Sequence, residues 1–142
     1  MLIKSSFLLT FIFLSACSSP KVNVGLIDGK LRPCPESPNC VSTQSTQEEK
    51  IMKPLSFSLS LDEMKKKIKS VLLQLPRTTL VTEEKNYLHF EFKSLIFRWV
   101  DDVEFLIDEN QNKVHFRSAS RVGHSDLGVN RKRMDELLLK LK

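Results

Sequence analysis

The sequence lacks any apolar stretch long enough to cross a bilayer. Its longest apolar run, residues 7–14 (FLLTFIFL), has eight residues, whereas a membrane-spanning helix needs about 20. A short apolar core behind a single charge at Lys4 is typical of a cleaved secretory signal peptide. The sequence therefore predicts export, with residues 1–16 removed as a lipoprotein-type signal peptide.

Cysteine is scarce, with three in the whole chain, and the first of them has a distinctive setting. Residues 14–17 (LSAC) follow the apolar core directly and resemble the bacterial lipobox, whose cysteine is lipidated and becomes the first residue of the mature protein. Acyl chains stabilise membrane attachment by about 0.8 kcal/mol per buried methylene. We therefore expect lipidation at Cys17. The residue after Cys17 is Ser18 and not an aspartate. By resemblance to proteobacterial lipoprotein sorting rules, this favours the outer membrane, with the domain facing the periplasm.

The other two cysteines, Cys34 and Cys40, form an even pair in an oxidising compartment. The residues between them include Pro35 and Pro38, which preset a tight loop. A disulfide in so small a ring mostly shapes the loop and contributes roughly 2–3 kcal/mol. Free thiols are the alternative. A zinc site is disfavoured, because structural zinc takes four ligands.

Histidine is also scarce, and its distribution argues against a metal site. His89, His115 and His124 lack the i, i+4 spacing that places two imidazoles on one helix face. We expect no metal and no cofactor. The net charge of +5 comes largely from lysines that are spread along the chain, and an envelope location excludes nucleic acid as a partner.

The remaining composition is that of one soluble domain, with 41% hydrophobic and 27% charged residues. Residues 17–31 are predicted to be the lipidated cysteine and a flexible tether. Residues 32–142 are predicted to be a single domain that includes the Cys34/Cys40 proline loop. Its predicted elements are a strand at 55–59, a helix capped by Ser60 and ended by Pro76, strands at 78–82, 87–92, 97–107 and from 114, and a final helix with Asn130 as N-cap.

This β-α-β-β-β-β-α order predicts an α+β fold of two layers, with an antiparallel sheet of about five strands and two helices packed on one face. A turn at residues 109–112 sets a register in which paired residue numbers sum to 221. Glu104 is then opposite Arg117, and Asp102 faces Ala119. One face of the hairpin is apolar and the other carries acidic and arginine side chains. We expect Trp99 and the phenylalanines to lie in the core.

Three segments carry a resemblance to a known family. Residues 32–42 (RPCPESPNCVS), 101–105 (DDVEF) and 117–131 (RSASRVGHSDLGVNR) are similar to the marks of the domain-of-unknown-function 1499 family. The resemblance covers roughly residues 31–142. It implies a widespread bacterial domain, often found in lipoproteins or membrane-linked proteins, with no established activity, and it assigns no catalytic residue.

The stretch from Val114 to Arg133 holds the candidate site residues. One interpretation is an anion-binding pocket, since arginine forks and a helix N-terminus both suit phosphate or carboxylate. Its candidates are Arg117, Arg121 and Arg131. The other interpretation is a structural polar network, and its candidates are Asp101, Asp102, Glu104, Asp126 and Asn130.

We therefore predict a non-catalytic binding or assembly module of the cell envelope that exposes an arginine-rich surface. Its expected partners are the membrane, through the lipid anchor, and either an anionic small molecule or an envelope protein. The alternative is a small hydrolase-like enzyme with His124 as base, Asp126 as its orienting partner and a nearby serine as nucleophile. No nucleophile elbow surrounds any serine.

Overall fold

A six-stranded antiparallel sheet is the centre of this structure, a computed structural model that describes residues 22–142. The elements are β1 (Leu26–Ile27), β2 (Lys30–Leu31), β3 (Cys40–Ser42), β4 (Leu55–Ser56), α1 (Leu61–Leu73), β5 (Thr78–Glu83), β6 (Tyr87–Lys93), β7 (Val100–Asp108), β8 (Lys113–Ser120) and α2 (Val129–Leu141). The strand order is β3-β8-β7-β6-β5, and β4 also pairs with β8. The predicted α+β class is confirmed. The predicted signal peptide and Cys17 lie outside the described residues.

The register of the central hairpin agrees with the prediction. Glu104 pairs with Arg117, and Asp102 pairs with Ala119. The turn is held by Asp108, whose carboxylate accepts hydrogen bonds from the backbone N–H groups of Asn110 and Gln111. Because strand side chains alternate, this register places Asp102, Glu104 and Arg117 on the same face.

The two helices cover the opposite, apolar face. The core consists mainly of phenylalanines from the sheet and aliphatic residues from the helices, namely Phe90, Phe105, Phe116, Met64, Ile68, Leu72, Met134, Leu137 and Leu141. The predicted capping box of α1 is present: the Ser60 hydroxyl accepts from the Glu63 backbone N–H, and the Glu63 carboxylate accepts from the Ser60 N–H. This cap fixes where α1 begins.

A short hairpin lies over part of the other face. Strands β1 and β2 pair with each other, and Leu26 and Leu31 pack against Tyr87 and Leu106. The Gly25 N–H donates to Glu104 Oε1 at 2.7 Å. Part of the segment expected to be a tether, residues 26–31, is therefore folded onto the sheet.

Four elements need correction. Strand β4 is limited to Leu55–Ser56, shorter than the strand expected at residues 55–59. Strand β3 was not predicted, because three residues at a sheet edge give no usable alternation. Strand β7 begins at Val100, three residues later than expected. Helix α2 has Gly128 as N-cap, and Asn130 lies inside the helix, because its side chain is held in the interior by Ser118 and Ser120.

The predicted disulfide between Cys34 and Cys40 is confirmed. The loop that it closes is held by Lys50, a fully buried lysine whose ammonium donates to the carbonyl oxygens of Pro35 and Glu36. Cys40 opens β3, so the loop is attached directly to the sheet. Within residues 22–142, no helix is both long enough and apolar enough to cross a membrane.

Candidate functional site

The polar face of the sheet carries two hydrogen-bonded groups of side chains, one around Glu104 and one around Asp102. We call the two groups together the polar lattice; it consists of Tyr87, His89, Glu91, Asp102, Glu104, Arg117 and Arg121. Strands β6, β7 and β8 contribute all of these residues except Arg121, which directly follows β8, because alternate strand positions point to this face. The lattice contains two of the three arginines predicted to bind an anion.

Glu104 is the most buried member of the polar lattice. Its side chain is 0% exposed and that of Arg117 is 3% exposed, with 2.7 Å between Arg117 Nη1 and Glu104 Oε2. The Tyr87 hydroxyl donates to Glu104 Oε1 at 2.7 Å. Burial, with the Glu104 charge beside it, raises the pKa of Tyr87, so the phenol stays protonated as a donor. Together with the Gly25 N–H, the carboxylate has three donors.

Asp102 forms the second centre of the lattice. Arg121 donates to both its oxygens, at 2.8 and 2.7 Å, and His89 Nε2 lies 2.7 Å from Asp102 Oδ1. Burial alone would raise the pKa of Asp102, but the hydrogen bonds from Arg121 and His89 outweigh it and lower that pKa. The hydrogen bond to Asp102 in turn raises the pKa of Arg121. Arg121 also pairs with Glu91.

These contacts bear directly on the predicted anion pocket. The guanidinium groups of Arg117 and Arg121 are both bonded to carboxylates. Arg131 has different partners, because it donates to the backbone carbonyls of Glu49 and Ile51. The structure therefore does not bring the three candidate arginines together around one cavity, and each already has protein acceptors.

The five acidic and amide candidates for a structural network are all hydrogen-bonded. Asp101 pairs with Arg133 at 2.6 Å. Asp126 accepts from the backbone N–H groups of Gly128 and Asn130, at 3.0 and 2.9 Å, and so caps the start of α2. Asn130 accepts from the Ser118 hydroxyl. Asp102 and Glu104 belong to the polar lattice.

The alternative catalytic group does not assemble. Asp126 uses its carboxylate oxygens to cap α2. The Ser125 hydroxyl accepts from the Leu127 N–H, and Ser118 donates to Asn130. Within residues 22–142, His124 has no hydrogen bond to Asp126 or to a serine. The same part of the chain contains no cluster of three side chains able to hold a metal ion.

A large cavity lies at one end of the sheet, beside the N-terminus of α2. It measures about 780 Å³, within the usual range for small-molecule sites. We call it the apolar groove. It is lined by Pro76, Arg77, Phe92, Lys93, Ser94, Leu95, Ile96, Phe97, Trp99, Asp101, Ser120, Val122, Gly123, Ser125, Asp126, Leu127, Val129 and Arg133.

One wall of the groove is the loop that joins β6 to β7. Its ends are tied together, because the Ser94 N–H donates to the Trp99 carbonyl and the Trp99 N–H donates to the Ser94 hydroxyl, both at 2.9 Å. The Phe97 and Trp99 rings stack with centroids 4.7 Å apart. Ile96 at the tip is 78% exposed. The loop is thus an ordered element that holds large apolar side chains in water.

The opposite wall is the segment between β8 and α2. It is anchored to the disulfide loop by Asn39, whose amide donates to the Gly123 carbonyl at 2.6 Å. Leu127 has a φ of +53°, a conformation uncommon for a residue that is not glycine, and is 94% exposed. Because its side chain is almost fully exposed, Leu127 contributes little to the core.

The charged groups that line the groove divide into paired and unpaired ones. Arg133 is paired with Asp101 and stacks over the Phe92 ring at 4.8 Å. Arg77 donates through Nε to the Lys93 carbonyl at 3.1 Å. Within residues 22–142, Arg77 forms no salt bridge, and the Lys93 ammonium is 4.0 Å from its nearest carboxylate, on Glu91. Both cations are therefore available to a bound anion.

The groove was not predicted from the sequence. Residues 97–107 were expected to form one strand, and Phe97 and Trp99 were expected to lie in the core; these expectations are wrong. The available signal was the uninterrupted run Leu95-Ile96-Phe97, which breaks the period-two alternation expected of a strand at a sheet surface. The phenylalanines of the strands, Phe90, Phe105 and Phe116, do lie in the core as predicted.

Comparison with known proteins agrees with the resemblance in the motifs. Residues 30–141 match a family described as "Protein of unknown function (DUF1499)". The match includes the disulfide loop, the polar lattice and both walls of the groove. No curated protein matches the chain.

Proposed function

Since this chain belongs to the DUF1499 family of proteins of unknown function, we propose its function from its geometry: it is a non-catalytic binding module of the cell envelope. In this proposal the lipid on Cys17 holds the domain at a membrane. The binding site is the apolar groove, in place of the arginine-rich surface expected from sequence. The ligand is an amphiphile with an acyl-like apolar chain and an anionic end.

The observation that carries this proposal is the exposure of ordered apolar side chains around a sizeable cavity. Leu95, Ile96, Phe97 and Trp99 are all more than half exposed on one wall. Burying such a side chain is worth about 1.5–3 kcal/mol. Because both walls are held by hydrogen bonds of the native fold, little ordering remains to be done when a ligand binds.

The chemistry of the lining favours an amphiphile. Half of the lining residues have apolar side chains, and the partly buried ion pair Asp101–Arg133 is internally neutralised. Arg77 and Lys93 add two cations next to this apolar surface. An apolar chain with a carboxylate or phosphate at one end matches both features, whereas a sugar or a peptide with many polar groups would leave them without partners.

The test uses Trp99, the only tryptophan of the chain. We expect a long-chain fatty acid, added below its critical micelle concentration, to shift Trp99 emission to shorter wavelength with a saturable curve. Ile96→Ser removes one exposed apolar side chain of the wall, so its affinity should fall by about tenfold or more.

Leu139→Ser is the matched control, since Leu139 is 71% exposed on α2 and does not line the groove. It should bind as the wild type does. A wild-type protein whose Trp99 emission does not respond would refute the proposal. Equal affinities for Ile96→Ser and the wild type would place any binding elsewhere.

A further inference from the structure

We propose that the end of the domain that carries the groove docks onto the surface of an anionic phospholipid bilayer. The docking surface consists of the loop tip Leu95–Trp99, with Arg98 within it, and Leu127 on the opposite wall. This inference shares the anchored location with the proposed function, but it concerns a different partner, the bilayer itself, and does not require a ligand in the groove.

The first observation is the exposure of the two tips that border the groove. Ile96 is 78% exposed and Leu127 is 94% exposed, so both side chains present apolar surface to solvent at the rim of the groove. Phe97 and Trp99 stand stacked beside Ile96. Aromatic and aliphatic side chains together at a protruding tip suit the boundary between headgroups and acyl chains, where tryptophan in particular is enriched.

The charges around the tips are the second observation. Arg98 lies in the loop itself with a φ of +58°. Neither Arg98 nor Arg77 forms a salt bridge to any carboxylate in residues 22–142, and Lys93 has only a 4.0 Å contact. Each such cation near an anionic leaflet strengthens attachment by about fivefold.

The length of the tether is the third observation. Gly25 is fixed to the sheet by its hydrogen bond to Glu104. Eight residue steps separate it from Cys17, and they can extend over at most about 28 Å. A domain anchored through Cys17 is thus kept within roughly its own diameter of the bilayer, so weak docking contacts act at high effective concentration.

A second copy of the chain is a less suitable occupant of this surface. Two copies meeting through these tips would bury apolar area, but they would also bring Arg77, Lys93 and Arg98 of each chain close to one another. Like charges brought together at an interface destabilise it. An anionic bilayer satisfies the apolar and the basic groups at once.

The experiment uses the full-length lipidated protein in vesicles of phosphatidylethanolamine and phosphatidylglycerol. Bromine atoms on the acyl chains quench tryptophan at short range, so Trp99 reports insertion whether or not the anchor holds the protein on the vesicle. We expect weaker Trp99 emission in brominated than in unbrominated vesicles. Equal emission in the two would overturn the docking proposal.

Arg98→Glu is the decisive variant, because Arg98 does not line the groove. Reversing its charge should shift the docking equilibrium by about tenfold or more and relieve the quenching. Lys85→Glu changes the net charge equally in the β5–β6 turn, at the opposite end of β6 from the tips, and should leave quenching unchanged. Quenching that is identical in Arg98→Glu and the wild type would also overturn the proposal.

A brominated fatty acid, added as a monomer without vesicles, separates this inference from the proposed function. Quenching by the monomer but not by the bilayer would support groove binding and refute docking. Quenching by the bilayer but not by the monomer would support docking and refute the proposed ligand.

Discussion

Replacing Arg117 with methionine leaves the Glu104 carboxylate buried without its cationic partner. Glu104 is 0% exposed, and the Arg117 Nη1 that would be lost is 2.7 Å from it. The two neutral donors, the Tyr87 hydroxyl and the Gly25 N–H, remain. Removing one partner of a buried ion pair costs about 3–5 kcal/mol. Methionine keeps most of the apolar stem of Arg117, so the decrease in the free energy of unfolding is due mainly to the lost charge.

Equilibrium unfolding in urea, followed by far-ultraviolet circular dichroism, measures this change. A loss of about 3–5 kcal/mol is a large part of the 5–15 kcal/mol that typically holds a domain together. The double variant Arg117→Met/Glu104→Gln removes both charges, and we expect it to recover much of the loss because the amide oxygen can still accept from the two neutral donors.

The control is Lys69→Met, which breaks a solvent-exposed pair with Glu83 at 2.8 Å. Exposed pairs contribute little because water and salt screen them, so this variant should unfold at nearly the wild-type urea concentration. If Arg117→Met costs less than about 1 kcal/mol, the range of surface ion pairs, the assignment of a buried structural role is wrong. A double variant no more stable than the single one would contradict it as well.

Four further predictions concern other parts of the chain. The pKa of Asp102 is lowered in the fold by its hydrogen-bond partners, so its contribution is present above the unfolded pKa of about 3.9 and is lost as the pH falls through the folded value. Urea titrations should accordingly show Asp102→Asn differing most from the wild type near neutral pH, and a difference that grows in acid would contradict this. Leu127→Asn should leave stability unchanged or raise it by up to about 1 kcal/mol, since asparagine tolerates a positive φ, while weakening fatty-acid binding; a clear fall in melting temperature would show that Leu127 serves the fold. Thiol counting under denaturation should find Cys34 and Cys40 oxidised, and replacing both with alanine should cost no more than about 2–3 kcal/mol by the loop-closure argument. Cys17→Ala should release the protein from membranes on fractionation, and retention in the detergent phase would refute lipid anchoring there.

The polar lattice and the apolar groove have opposite relations to stability. Each carboxylate of the lattice is bonded to an arginine, so removing either partner should weaken the fold. The exposed groove residues contribute little to the core, so polar replacements there should leave the fold intact and change binding. Ile96→Ser and Arg117→Met therefore form a direct comparison. The first should weaken fatty-acid binding and bilayer docking without changing the free energy of unfolding, and the second should lower the free energy of unfolding.

The sequence by itself determined the central hairpin, the capping box of α1 and the disulfide. These features depend on local rules. Alternation and a short turn place Glu104 opposite Arg117, and Ser60 and Glu63 are three residues apart, as reciprocal capping requires. The motif at residues 117–131 also indicated the family, whose match is confirmed over residues 30–141.

Only the tertiary structure decided how the arginines are used and where Trp99 lies. Whether a guanidinium binds a ligand or a carboxylate depends on neighbours from distant strands: Arg121 is bonded to Glu91, 30 residues away. The loop at residues 95–98 is as apolar as a core strand. It faces water because Ser94 and Trp99 close it beyond the last strand pairing, where neither α1 nor α2 covers it. Side-chain hydrophobicity alone does not tell whether an apolar residue lies in the core or at an uncovered end of the sheet. The groove therefore could be found only from the packing of strands, helices and loops.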